Sequence, residues 1–92
     1  MMCKIEKVLA LTVGTSAQTV NVSGLACMVE NLTEGAMVYI KEMRYDNTAA
    51  SATNGWAIAA GKSTEIPLVA LDLSIISDTA STDVRVMILD LG

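Results

Sequence analysis

Apolar residues along this chain recur at every second position in short runs, and clusters of Gly, Ser, Thr, Asn and Asp separate the runs. A period of two places alternate side chains on opposite faces of a pleated strand, and no window sustains the 3.6-residue period of an amphipathic helix. The first run sets Ile5, Lys7, Leu9, Leu11 and Val13 on one face and Lys4, Glu6, Val8, Ala10 and Thr12 on the other, ending at Gly14-Thr15-Ser16. Gln18 to Val22 predicts a second strand, Ser23-Gly24 a turn, and Leu25 to Glu30 a third strand in which Leu25, Cys27 and Val29 share a face. A turn over Asn31 to Gly35 leads into Ala36 to Met43, with Val38 and Ile40 on one side and Met37, Tyr39, Lys41 and Met43 on the other. Trp56 to Ala60, Ser63 to Leu68, a strand carrying Leu71, Leu73 and Ile75, and Val84 to Leu91 complete the pattern, with turns at Gly61-Lys62 and Ser77 to Thr82. Pro67 lacks an N–H and confines its strand to an edge or a strand end.

Roughly eight short strands with no room for helical crossovers predict an all-β fold, a small β-sandwich of jelly-roll or Greek-key type, with a small closed barrel as the runner-up. The expected core is Leu9, Leu11, Val29, Val38, Ile40, Ile58, Leu71, Leu73, Ile75, Val84, Val86 and Ile88. Between the fourth and fifth strands, Asp46 to Gly55 reads DNTAASATNG. Such small polar residues bring little burial against their ordering entropy, which predicts a mobile surface excursion. Ala36 to Met43 and Val84 to Leu91 carry apolar bulk on both faces, so at least one outer sheet face is expected to be covered by another chain.

At 92 residues the chain is sized for a single domain, residues 1–92. Hydrophobic residues make up 52% and charged residues 17%; a domain this small buries only part of its surface, so apolar surface is left over for self-association. The net charge is -4 and histidine is absent, which removes both a basic nucleic-acid footprint and an imidazole base. The apolar run Val8 to Val13 is too short for a signal peptide's hydrophobic region or for a membrane span, and it reads as a strand.

Candidate chemistry is sparse. Cys3 and Cys27 have no CxxC spacing and no histidine partner, which excludes a zinc or redox motif; two reduced thiols, with Cys27 packed as a small hydrophobe, are expected over a disulfide. No cofactor or metal site is expected. The spacing of Asp78 and Asp83 lacks the ligand pattern of a calcium loop, and Asp46, Asp78 and Asp83 read as turn formers. No GxSxG, SxxK or phosphate loop occurs, so an enzyme is not expected. Asn21-Val22-Ser23 and Asn31-Leu32-Thr33 match the glycosylation sequon but read as ordinary strand and turn residues. The aromatic residues are Tyr39, Tyr45 and Trp56. Trp56 suits a core plug beside the long loop or an interface anchor, and Tyr39 suits a contact surface. The candidate interface set is Met37, Tyr39, Met43, Trp56, Met87 and Leu89.

Three stretches carry a likeness: Glu30 to Ile40 (ENLTEGAMVYI), Gly55 to Ser63 (GWAIAAGKS), and Ile75-Ile76-Ser77-Asp78 with Asp83-Val84-Arg85-Val86-Met87. Across roughly residues 20–92 the chain resembles small virion proteins of tailed bacteriophages. The resemblance implies a non-enzymatic β-sandwich of the phage particle, a head-decoration or cement protein or a fibre base, made in the host cytoplasm and located in the virion. It also implies partners: copies of itself, with a trimer favoured by threefold sites, and the major capsid or another virion protein. The shared positions are turns and core, so no functional residue is carried over. The alternative is a carbohydrate- or receptor-binding module of a phage tail or fibre.

Overall fold

The computed structural model describes residues 3–44, 47–67 and 70–91. Eight strands form: β1 (Cys3–Val13), β2 (Gln18–Ser23), β3 (Ala26–Asn31), β4 (Val38–Glu42), β5 (Trp56–Ile58), β6 (Ser63–Pro67), β7 (Ala70–Ser77) and β8 (Thr82–Leu91). Among the described residues there is no helix. The expected strands are all present, with ends moved by one or two residues in most cases. Tyr45, Asp46 and Leu68 lie outside the described residues, as do the side chains of Cys3, Leu71 and Leu91.

The strands pair in two four-stranded antiparallel sheets, in the orders β1-β8-β3-β6 and β2-β7-β4-β5. The chain crosses from one sheet to the other at every connection except β4 to β5, which gives the jelly-roll form of the β-sandwich. The sheets are separate, so the closed-barrel alternative does not hold.

Between them lies one core, in which Val13, Val22, Cys27, Val29, Val38, Ile40, Ile58, Ile66, Leu73, Ile75, Val84, Val86 and Ile88 are buried. Nine of the twelve expected core residues are among these; Leu9 and Leu11, on the edge strand β1, are partly buried against the same cluster. Burial of such side chains contributes about 1.5–3 kcal/mol each.

Two features of the fold lie beyond a period-two reading. In β1 the register shifts between Ile5 and Lys7, so that Ile5 pairs with Leu89 while Lys7 pairs with Ile88. A bulge of this kind transfers a residue to the other face of its strand. Ile5 therefore leaves the face of Leu9 and Leu11, and it is exposed. The second is Asn31, which is fully buried. Its Nδ2 donates to the carbonyls of Ala36 at 2.8 Å and Ile58 at 3.0 Å, and its Oδ1 accepts from Thr33 N–H at 3.0 Å. Its own backbone bonds Lys62 O and Gly61 N–H. One amide thus ties the β3–β4 turn to β5 and to the β5–β6 turn, and its burial rules out glycosylation there in the folded state. At the β2–β3 turn, a Cβ on Gly24 would meet Leu89 O at 2.6 Å, so this close strand approach requires glycine.

Candidate functional site

The two sheets present very different outer faces. On the β2-β7-β4-β5 sheet, Tyr39, Lys41, Ser74 and Ile76 point outward, opposite the buried Val38, Ile40, Leu73 and Ile75. The segment following β4 folds back over them. Ala50 is buried, and its N–H donates to Ser74 Oγ at 2.9 Å. Lys41 Nζ donates to Thr48 O at 2.9 Å, and a Cβ on Gly55 would lie 2.8 Å from Tyr39 Cβ. Within the segment, Asn54 Oδ1 accepts from Ser51 N–H and Asn54 Nδ2 donates to Ala49 O. The expected free excursion is thus a structured flap, held by polar contacts in place of apolar bulk. The second face of β4, expected to await another chain, is covered by its own.

The outer face of the β1-β8-β3-β6 sheet carries no such cover among the described residues. Cross-strand pairing aligns Ile5, Leu89, Ala26 and Pro67 in one row and Val8, Met87, Met28 and Glu65 in the next. Ile5 is 58% and Val8 55% exposed. A third row, Ala10, Arg85, Glu30 and Ser63, borders the apolar patch with one charge of each sign. Apolar side chains clustered on one exposed face mark an interaction surface far more often than scattered ones do.

The six candidate interface residues are consequently divided. Met87 and Leu89 lie in this patch. Tyr39 lies under the flap. Met43 follows β4, its N–H bonded to Asp72 O and its Sδ accepting a weak bond from Thr19 Oγ1 at 3.8 Å. Met37, before β4, is held by Asp78: its N–H donates to Asp78 Oδ1 at 2.9 Å, and its carbonyl accepts from Asp78 N–H. That bond, with a second from Thr79 Oγ1, lowers the Asp78 carboxyl below its ordinary range, as suits a turn residue. Trp56 stands apart from all of these. Ile5, Val8, Ala26, Met28 and Pro67 were not in the expected set; alternation puts Val8 and Met28 on second faces, but only strand pairing gathers them into one patch.

Trp56 is 67% exposed, so it is no core plug. It pairs with Ile40, and its Nε1–H reaches across the sandwich edge to Thr64 Oγ1 at 3.2 Å. It flanks a groove of about 560 Å³ between the β5 and β6 edges, with Ile40, Ile66 and Leu73 along its apolar floor.

Cys27 is a free, buried thiol, and the side chain of Cys3 lies outside the described residues. Burial, reinforced by the negative charge of Glu42, pushes its pKa up to about 11, the reverse of what a reactive cysteine requires. Among the described residues no three His, Cys, Asp or Glu side chains are grouped as a metal site, and no helix is long and apolar enough to cross a membrane. No known protein family, curated protein or solved structure matches the chain.

Proposed function

We propose that the protein is a non-enzymatic assembly module of a bacteriophage virion, a capsid decoration or cement protein that works through self-association of its β-sandwich. The single observation supporting self-association is the uncovered apolar face of the β1-β8-β3-β6 sheet, beside an opposite face that the chain covers for itself. At ~25 cal/mol per Å², a few hundred Å² of such surface corresponds to several kcal/mol before the entropic cost of association is subtracted. A second copy is a suitable occupant because Arg85 and Glu30 are neighbours on the patch border, so that a positive charge of one copy can meet a negative charge of another there. The phage setting, and a trimer as the preferred assembly, rest on the sequence resemblance.

Light scattering on the full chain at tens of micromolar should give an oligomer mass, and the double variant Val8→Glu, Met87→Glu should be a folded monomer. Mass spectrometry of particles from a phage encoding this chain should find it as a virion component. A monomeric wild type that is also absent from such particles would overturn the reading.

A further inference from the structure

Asn54 and Gly55 adjoin at the end of the flap, and the fold requires each for a separate reason. A Cβ on Gly55 would lie 2.8 Å from Tyr39 Cβ and 2.9 Å from Ser51 O, so the chain passes this close to β4 only as glycine. Asn54 ties the flap to itself through its amide: Oδ1 accepts from Ser51 N–H at 2.7 Å, and Nδ2 donates to Ala49 O at 3.1 Å. An aspartate could make the first bond but not the second, and an apolar residue could make neither. Packing and hydrogen bonding thus set side by side two residues whose junction is among the least durable in a polypeptide.

An asparagine side chain is open to attack by the main-chain nitrogen that follows it, and glycine, having no Cβ, gives that nitrogen its least hindered approach. The Gly55 nitrogen bonds to Asn54 Cγ and gives up its proton; the Cγ–Nδ2 bond breaks, ammonia leaves, and a cyclic imide remains. Water then opens the imide at one of its two carbonyls. The product is aspartate or isoaspartate, and in isoaspartate the main chain runs through Cβ. The sum consumes water, releases ammonia and needs no other reactant.

In the closed flap the attacking nitrogen is held away from this course. Gly55 N–H donates to Ser51 O at 2.9 Å, closing a single helical turn. Asn54 N–H donates to Ser51 Oγ at 3.3 Å, and both atoms of the Asn54 amide are bonded within the flap. The flap is anchored in turn to the sheet, by Ala50 N–H on Ser74 Oγ and by Lys41 Nζ on Thr48 O. Asn54 is exposed, so water already has access to it. What the closed state withholds is the freedom of the Gly55 nitrogen to turn toward Cγ, and opening of the flap supplies it.

We propose that Asn54-Gly55 is a deamidation site gated by the flap, protected while the flap is shut, and that isoaspartate formed there prevents the flap from closing again. The added main-chain methylene falls between Ser51 and Gly55, where the chain has no room to spare against Tyr39. The donor to Ala49 O is lost at the same time, and a carboxylate takes its place. The face of the β2-β7-β4-β5 sheet that carries Tyr39 and Ile76 is then uncovered.

The test compares the full chain with the blocked peptide acetyl-Ser-Ala-Thr-Asn-Gly-Trp-Ala-amide in one mildly alkaline buffer, following Asn54 by peptide mapping with isoaspartate detection. The protein should react at least about tenfold more slowly than the peptide, the ratio measuring how seldom the flap opens. Ser74→Ala, checked for folding by circular dichroism, should react about five times faster than wild type or more, with the peptide rate as its ceiling. In wild-type protein converted to isoaspartate, the Ala50 amide should lose its exchange protection while Val86 in β8 keeps it. A wild-type rate equal to that of the peptide would overturn the proposal. So would an unchanged rate in folded Ser74→Ala, or Ala50 protection that survives conversion. The peptide comparison and the Ala50 readout use the wild-type chain, so they decide the matter even where Ser74→Ala fails to fold.

Discussion

The two outer faces of this sandwich start from similar sequence and end differently. Ala36 to Met43 and Val84 to Leu91 both carry apolar residues on their second faces. In the β2-β7-β4-β5 sheet that surface is closed from within: the flap sets Ala50 on β7 and fixes it through Ser74 Oγ. In the β1-β8-β3-β6 sheet the rows through Leu89 and Met87 are extended by Ile5 and Val8, and no described segment lies across them. Apolarity on both sides of a strand therefore does not by itself establish that another chain covers it. Whether the cover is intramolecular depends on the length and hydrogen-bonding capacity of the neighbouring loop, and here a loop of small polar residues supplies it.

The largest effects should come from the core that both faces share. Ile40→Ala and Val86→Ala, one beneath each face, should each cost about 2–4 kcal/mol in chemical denaturation. Asn31→Ala should fall in the same range, because it strands the Ala36 and Ile58 carbonyls in the interior. A loss below about 0.5 kcal/mol at Val86 would mean that the faces of β8 are reversed, and with them the patch.

Next in size is the flap. Ser74→Ala removes the acceptor for the buried Ala50 N–H and should cost about 1–2 kcal/mol. Amide exchange at Ala50 and at Gly55, whose N–H bonds Ser51 O, should be protected in wild type and lose protection in the variant. Fast exchange at both positions in wild type would restore a mobile loop and remove the contrast between the faces.

On the open face, Val8→Glu should change the stability of the dilute monomer by less than about 0.5 kcal/mol while weakening association sharply. An unfolded variant would show that Val8 is covered within the protomer.

The smallest effect concerns Cys27, behind the β1-β8-β3-β6 sheet. Its folded pKa, about 11, is raised above the ordinary 9.0, so its contribution to stability is complete below pH 9 and is lost as pH rises toward 11. At pH 8 a thiol reagent should label it only through opening of the fold, and a labelling rate that tracks global unfolding would identify this sheet as the last part to open. Rapid labelling of the native protein would show that the open face is also a loose one.

Strand alternation in Val38-Tyr39-Ile40 and Val84-Arg85-Val86 made the core legible, because burial on one face is a local, period-two property. Pro67 marked an edge strand for an equally local reason. The sequence by itself determined the all-β class, the strand positions, the identity of most core residues and the surplus of apolar surface. The bulge that moves Ile5 outward, the docking of Ala50 on Ser74, the buried role of Asn31 and the exposure of Trp56 all depend on residues distant in the chain. Only the tertiary structure decided them, since each follows from which strands become neighbours and which edges remain open, and no local periodicity encodes that pairing.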